Sequence, residues 1–395
     1  MISPFLFGRE LVGPELVDRR EELEEIVETI LGRERLFLIG PRRFGKTSLL
    51  ATAAARVEEL GGKVIRINAE QFVGTHALAG ELIRQAGQKL IGGAERGLKR
   101  LGEAFASLQP QIAYNPRTDA LTVRLAAADG TEPTRTLAEV LDAVEGLAAK
   151  QREPVAVVID EFQHTVAEEG VAGEQRLRAV VQAHRHVGYV FAGSDTAMLT
   201  AMTSEPPSTS SGQAHAHRFT SLGSRMYLGP IPRDDFRGHI EGGFARAAKT
   251  ISPEAVEQIL DIAEDVPYTV QLVANATWRQ AMSTRRKRVG RAEVEAALER
   301  LLTREDPQYA TLVDQLTLNQ RKALLAAAHA EGGRGLTSAE TAREYRIAVS
   351  TLRRGVESLT QRGVLRRVLG SGEAAGVVVF EDPIFRRWVL GRLRW

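Results

Sequence analysis

The run from Leu36 to Leu50, LFLIGPRRFGKTSLL, constrains this chain more than any other stretch. An apolar segment, RLFLI, leads into Gly40, and Gly45, Lys46 and Thr47 follow at the spacing G-x-x-x-x-G-K-[ST]. The next residues, KTSLLATAAARVEEL, have the composition of a helix that stops at Gly61-Gly62. A strand, a glycine loop and a helix in that order are the context in which such a loop cradles phosphate. The glycines let the backbone curl so that successive N–H groups face an anion, and the helix N-terminus adds partial positive charge. Gly40, Pro41, Arg42, Arg43, Phe44, Gly45, Lys46, Thr47 and Ser48 are therefore the expected cradle for ATP. Lys46 is expected to reach the β- and γ-phosphates and serve catalysis, and Thr47 to ligate Mg²⁺. A glycine-rich turn that merely precedes a helix is the structural alternative.

Such a loop predicts an acidic strand end downstream. In PVAVVIDEFQ the run Val155 to Ile159 is continuously apolar, as in a strand buried on both faces, and it ends in Asp160-Glu161. Asp160 is expected to hold Mg²⁺, and Glu161 to orient and deprotonate an attacking water. A third strand, YVFAGSD, brings Ser194 or Asp195 to a carboxyl end, where ligands of open α/β sheets collect. Ser194 is the candidate to face the γ-phosphate. KVIRINA, Lys63 to Ala69, is a fourth strand. Strands alternating with helices predict an α/β fold with a parallel sheet covered on both faces. Ahead of the loop, LVDRREELEEIVETIL reads as a helix, with Asp18 and Glu21 at capping-box spacing. This segment, Asp18 included, is placed either near the adenine or simply over the sheet.

Four segments, LVDRREEL, GPRRFGKTSLL, VVIDEFQ and VFAGSDTAML, stand in this order. Together they resemble the prokaryotic (archaeal-type) ATPase-domain family of the STAND class, within the wider AAA+-like P-loop ATPases. HRFTSLGSRMYLGPIP looks like that family's segment after its sensor strand, and AEDVPYTVQLVANATW like its helical lid. A Gly-x-Pro is usual in that lid; here Asp265-Val266-Pro267 keeps the proline and not the glycine. The resemblance runs from about Leu11 to Arg394 and implies ATP and Mg²⁺ as cofactors. The expected organisation is a P-loop core at 1–235 with an insertion at 91–153, a helical lid at 236–311 and a C-terminal domain at 312–395. Within the insertion, QIAYNPRTDALTVRLA is expected to form a hairpin turning at Asn115-Pro116. Arg218 is the candidate arginine finger, in cis or from a neighbouring subunit, with Arg225 as its alternative. His215 and His217 read as loop histidines rather than a metal pair.

Charge is unevenly spread. From Leu312 to Trp395 there are 14 Lys+Arg against 8 Asp+Glu, or +6, while the rest carries 38 against 42, or −4. The basic segment reads as three helices and a two-strand hairpin, the pattern of a winged helix-turn-helix. Ser350, Thr351, Arg353 and Arg354 would enter a major groove, with Arg366 and Arg367 near phosphates. Protein contact through the same fold is the alternative, so duplex DNA, a protein partner and self-association all stay open. The absence of cysteine excludes disulfides, thiolate metal sites and cysteine nucleophiles, and fits a reducing cytoplasm. No stretch approaches the roughly 20 apolar residues of a membrane span, and no signal peptide is read in MISPFLFGRE. The expected function is slow, Mg-dependent ATP hydrolysis used as a conformational switch. Two alternatives remain: a DNA-binding regulator with structural nucleotide and no turnover, and an AAA+-type oligomeric loader or remodeller.

Overall fold

In a computed structural model of the chain, the described residues are 2–91, 95–115, 117–118, 120–125, 133–195, 199–200, 203, 222–368 and 377–393. The chain divides into two units. One holds Glu10–Pro41 and Lys46–Gly229; the other holds Met1–Arg9, Arg42–Gly45 and Pro230–Trp395.

The first unit runs α1 (Arg20–Leu31), β1 (Arg35–Ile39), α2 (Lys46–Glu59), β2 (Lys63–Asn68) and α3 (Thr75–Ala86). It continues through α4 (Glu95–Ala104), the hairpin β3 (Gln111–Asn115) and β4 (Ala120–Arg124), and α5 (Pro133–Ala148). It closes with β5 (Val155–Asp160), α6 (Gln163–Ala183), β6 (Val187–Gly193) and β7 (Ser224–Tyr227). Five strands form one sheet in the order β2-β5-β6-β1-β7, and every pairing in it is parallel. Parallel strands need crossovers, and a sheet wrapped by them has two dry faces. That is why β5 and β6 are apolar at nearly every position and buried at all of them. Side chains alternate along each strand. Phe37, Ile39, Ile65, Ile67, Val157, Ile159, Tyr189 and Phe191 point into a core shared with α3, α5 and α6. Phe191 anchors it, stacking on Phe37 at 5.3 Å and lying 4.6 Å from Phe162. The expected hairpin forms in the insertion, where Arg117 N–H bonds the Asn115 side chain at 3.0 Å.

One expectation is corrected here. The capping box of Asp18 and Glu21 does not form: α1 starts at Arg20, and Arg19 is its unassisted cap. Asp18 and Arg19 both adopt left-handed backbone, at φ 56° and 76°. This turns Arg19 inward, where its guanidinium pairs with Glu22 at 2.7 Å and donates to the Gly229 carbonyl. Asp18 is left exposed. A buried cation with two acceptors outweighs one cap hydrogen bond.

The second unit is mostly helical. It holds α7 (Arg233–Ala245), α8 (Pro253–Ala263), α9 (Pro267–Ser283), α10 (Arg291–Asp314) and a small parallel pair, β8 (Thr250–Ile251) with β9 (Arg288–Val289). The N-terminal segment is tied to it. Phe5 is buried against His239 and Phe244, and the Asn275 side chain donates to the Phe5 carbonyl and Ser3 hydroxyl at 2.8 Å each. The glycine missing before Pro267 has a physical substitute. Asp265 takes φ 57°, a conformation that favours glycine, and its carboxylate pairs with Arg233 at 2.8 Å.

From Leu318 the order is α11 (Leu318–His329), α12 (Ala339–Glu344), α13 (Val349–Gln361), an antiparallel pair β10 (Leu365–Arg367) and β11 (Val378–Phe380), then α14 (Pro383–Arg392). Three helices and a hairpin are the expected sequence of elements. Leu352, Val356 and Leu359 form the buried face of α13. Ser338 caps α12. Ser338 is extended, and its hydroxyl accepts the Thr341 N–H at 3.1 Å.

Candidate active site

The loop between β1 and α2 closes on itself. Gly45 has φ 92°, which opens the turn into the first residue of the helix. Lys46 is only 4% exposed, and its ammonium donates to the Gly40 and Pro41 carbonyls at 2.8 and 3.0 Å. The cation therefore sits inside the curl, at the place where phosphate oxygens would compete for it. The Ser48 hydroxyl accepts the Leu11 N–H at 3.0 Å, and Thr52 accepts that of Gly13 at 3.2 Å. These bonds lay the stretch before α1 along the first turns of α2.

The acidic strand end meets this loop. Thr47 donates its hydroxyl to Asp160 at 2.6 Å. Residues 113 apart in sequence are thus brought into contact at the carboxyl end of the sheet. Burial pushes the Asp160 carboxyl above its ordinary range and the neighbouring Glu161 charge adds to this, against the Thr47 hydroxyl, the Lys46 charge and the Glu161 N–H. Glu161 takes left-handed φ 51°, with its N–H on Asp160 at 3.0 Å. Its side chain turns to β6, where the Ser194 hydroxyl donates to it at 2.7 Å. Ser194 and Glu161 were expected at neighbouring strand ends, and the structure brings them together. Asp195, the other candidate there, is exposed.

Gln163 was not singled out in the sequence. It is buried, donates its amide to Glu161, and lies 3.2 Å from the Ser194 hydroxyl. Its position two residues after Glu161, at the start of a helix, was the available signal. Arg218 lies outside the described residues. Arg225 is exposed on the edge strand β7 and donates to the Thr203 carbonyl at 3.3 Å.

The loop tip has partners of its own in the second unit. Arg43 adopts φ 67° although it is not glycine, a conformation costing about 1 kcal/mol. It pairs with Asp382 at 2.9 Å and lies over the Tyr268 ring at 5.2 Å. Tyr268 N–H in turn bonds the Arg43 carbonyl at 3.2 Å. Asp382 is also the cap of α14, accepting from Ile384 at 2.9 Å, and takes the Tyr309 hydroxyl at 3.2 Å. An Asp before Pro at a helix start is a readable cap signal. Arg366 lies over the Phe44 ring at 5.2 Å and faces Glu381 at 3.6 Å. Burial lowers its guanidinium from the usual range, with Glu381 opposing. Arg366 is therefore a packing residue, not the surface phosphate contact expected of it. Arg367 remains half exposed beside Glu357 at 2.6 Å.

Among the described residues no group of three or more His, Asp or Glu is arranged to hold a metal. Mg²⁺ bound through a triphosphate requires only one or two protein oxygens, so Thr47 and Asp160 suffice as a donor set.

A five-stranded parallel sheet whose first strand opens into a closed lysine loop, beside an acidic strand end, defines a P-loop ATPase of the AAA+-like class. Residues 15–191 match the family model described as the AAA ATPase domain, which supports ATPase activity. Among solved structures, the chain is similar to the Walker-type ATPase paby2304 of Pyrococcus abyssi, at 15% identity and a TM-score of 0.61, over 98% of this chain and 99% of that one. It also aligns with the Aeropyrum pernix ORC1 protein in complex with DNA, at 16% identity and a TM-score of 0.48, over 95% and 93% of the two chains. A third alignment is to the Thermotoga maritima RuvB Holliday junction branch migration motor, at 13% identity and a TM-score of 0.44, over 93% and 94%. No curated protein matches the sequence. No helix among the described residues is long and apolar enough to cross a membrane.

Proposed function

We infer that this ATPase is Mg²⁺-dependent, belongs to the STAND class, and uses slow hydrolysis as a conformational switch in the cytoplasm. The observation that carries the reading is the Thr47–Asp160 contact at 2.6 Å beside the buried Lys46. It gathers a hydroxyl, a carboxylate and a cation where the β- and γ-phosphates of ATP would lie. Gly40 to Ser48 would cradle the phosphates, and Thr47 and Asp160 would hold Mg²⁺. The metal supplies neutralisation of charge on the phosphate oxygens. Glu161 takes the proton of the attacking water, and Ser194 senses the γ-phosphate. Arg218 is retained as the arginine finger from its sequence position. The working division is a core at 1–235 with the 91–153 insertion, a lid at 236–311 and a winged helix-turn-helix at 312–395.

The C-terminal domain is assigned to duplex DNA, held through phosphates. What supports this is a cavity of about 920 Å³ whose lining includes Arg334, Arg353, Arg354 and Arg367 with Thr337 and Ser338. Arg334, Arg353 and Arg354 around one concave face, with Arg367 paired to the Glu357 that also lines it, match a phosphate backbone better than an apolar peptide. The test is ATP turnover with and without duplex DNA at two salt concentrations. Turnover should change several-fold with DNA at low salt and lose that response at high salt. A rate indifferent to DNA, in a protein that binds none, transfers this domain to a protein partner or to self-association. Absence of any turnover in Mg-ATP contradicts the switch and leaves a regulator with structural nucleotide.

A further inference from the structure

We propose that Gln163 is the positioning residue for Glu161, fixing the carboxylate that accepts the proton of the attacking water. The inference rests on the reading of Glu161 as general base. Its geometry is built from three sides. First, the turn before α6 is stitched to β6: Phe162 N–H bonds the Ala192 carbonyl at 2.8 Å, and His164 N–H bonds that of Glu161 at 3.0 Å. Phe162 is fully buried against Phe191, so the start of the helix cannot drift. Second, the Gln163 amide donates to the same Glu161 oxygen, Oε2, that accepts the Ser194 hydroxyl. The amide also donates to Ser194, at 3.2 Å, which closes a three-membered ring of side chains. Third, the amide oxygen is turned towards Gly193. A Cβ at that position would lie 2.2 Å from Gln163 Oε1, so only glycine admits the side chain there. That oxygen is buried without a hydrogen-bond partner. Leaving an acceptor unsatisfied is a cost, incurred here by aiming both N–H groups at Glu161 and Ser194.

This arrangement has a function that packing alone does not explain. When the Ser194 hydroxyl rotates to a γ-phosphate, Glu161 loses that donor. The Gln163 amide keeps its bond to the same carboxylate oxygen as water attacks. A base displaced by about 1 Å loses on the order of 10²-fold in rate, while phosphate binding through Lys46 is untouched.

Two replacements test this. Gln163→Met keeps the length and apolar volume without a donor, and Gln163→Glu keeps the shape but cannot donate when ionised. In both, turnover should fall about tenfold or more while the Kd for Mg-ATP, from calorimetric titration, stays within about threefold. Each change should add nothing once Glu161→Gln is present, because the residue acts through that carboxylate. A folded Gln163→Met or Gln163→Glu that turns over within twofold of wild type overturns the proposal, as does a full additional loss in the Glu161→Gln background. Wild-type turnover retained by Glu161→Gln would instead remove the general base itself, and is distinguishable from either result.

Discussion

Two collections of charged residues in this molecule look alike in sequence and differ in structure. One is the set Lys46, Asp160 and Glu161, which are 4%, 1% and 8% exposed. The other is the run of C-terminal arginines that gives residues 312–395 their +6 charge. In the first, the backbone holds each charge: a strand end for the carboxylates, a helix start for the lysine. In the second, many arginines are already neutralised. Arg366 faces Glu381 at 3.6 Å, Arg367 pairs with Glu357 at 2.6 Å, and Arg386 pairs with Glu264 at 2.7 Å. Buried charges set by short-range backbone geometry are expensive and mark chemistry. Net charge counted along a segment overstates the surface available to a polyanion.

The comparison breaks most sharply at Lys46. Lys46→Ala should weaken ATP binding by about 100-fold or more, since a lost charge-assisted contact of roughly 3 kcal/mol is worth that factor. Calorimetric titration checks it, and unchanged affinity in a folded variant removes the loop from nucleotide binding. Next in size is the arginine cavity. Replacing Arg353 and Arg354 together by alanine should lower the slope of log K against log salt for duplex DNA by about 2. Arg366→Ala should leave that slope unchanged, because its guanidinium is committed to Phe44 and Glu381. An equal drop from both variants would erase the distinction between surface and packing arginines.

A smaller effect separates the two regions by stability. Asp382→Ala should cost about 1–2 kcal/mol in unfolding free energy, chiefly as a lost helix cap, with the half-exposed Arg43 pair adding little. Asp160→Asn should do the opposite. Burial holds the folded-state carboxyl above its unfolded value, so its stabilising contribution is complete below the unfolded value and disappears as pH rises through the folded one. Burial disfavours the charged carboxylate, so the amide, which cannot ionise, should raise the nucleotide-free melting temperature by about 2 °C or more. A lower melting temperature for Asp160→Asn at pH 7 would contradict this assignment.

What the sequence disclosed follows the same division. The phosphate loop, the buried strands β5 and β6 and the strands of the hairpin within the 91–153 insertion were legible because local pattern decides them, through apolar runs and glycine spacing. The approach of Ser194 to Glu161 was legible only as neighbouring strand ends; the 2.7 Å bond required the sheet order β5-β6. Gln163 was missed because its role depends on the missing Cβ of Gly193, thirty residues away and across a strand. Asp18 was misread because a capping rule sees three residues, whereas Arg19 is drawn inward by Gly229 far along the chain. The partners of Arg43 and Arg366 were invisible for the same reason, since ion pairing across long separations leaves no spacing to read.

The central claim is that Glu161 performs the proton transfer while the loop binds nucleotide independently of it. The direct measurement is phosphate release from Mg-ATP by wild type and Glu161→Gln, with ATP affinity titrated on the same samples. The account predicts turnover reduced by about 10²- to 10⁴-fold with Mg-ATP affinity retained. Glu161→Gln hydrolysing ATP at the wild-type rate would contradict it.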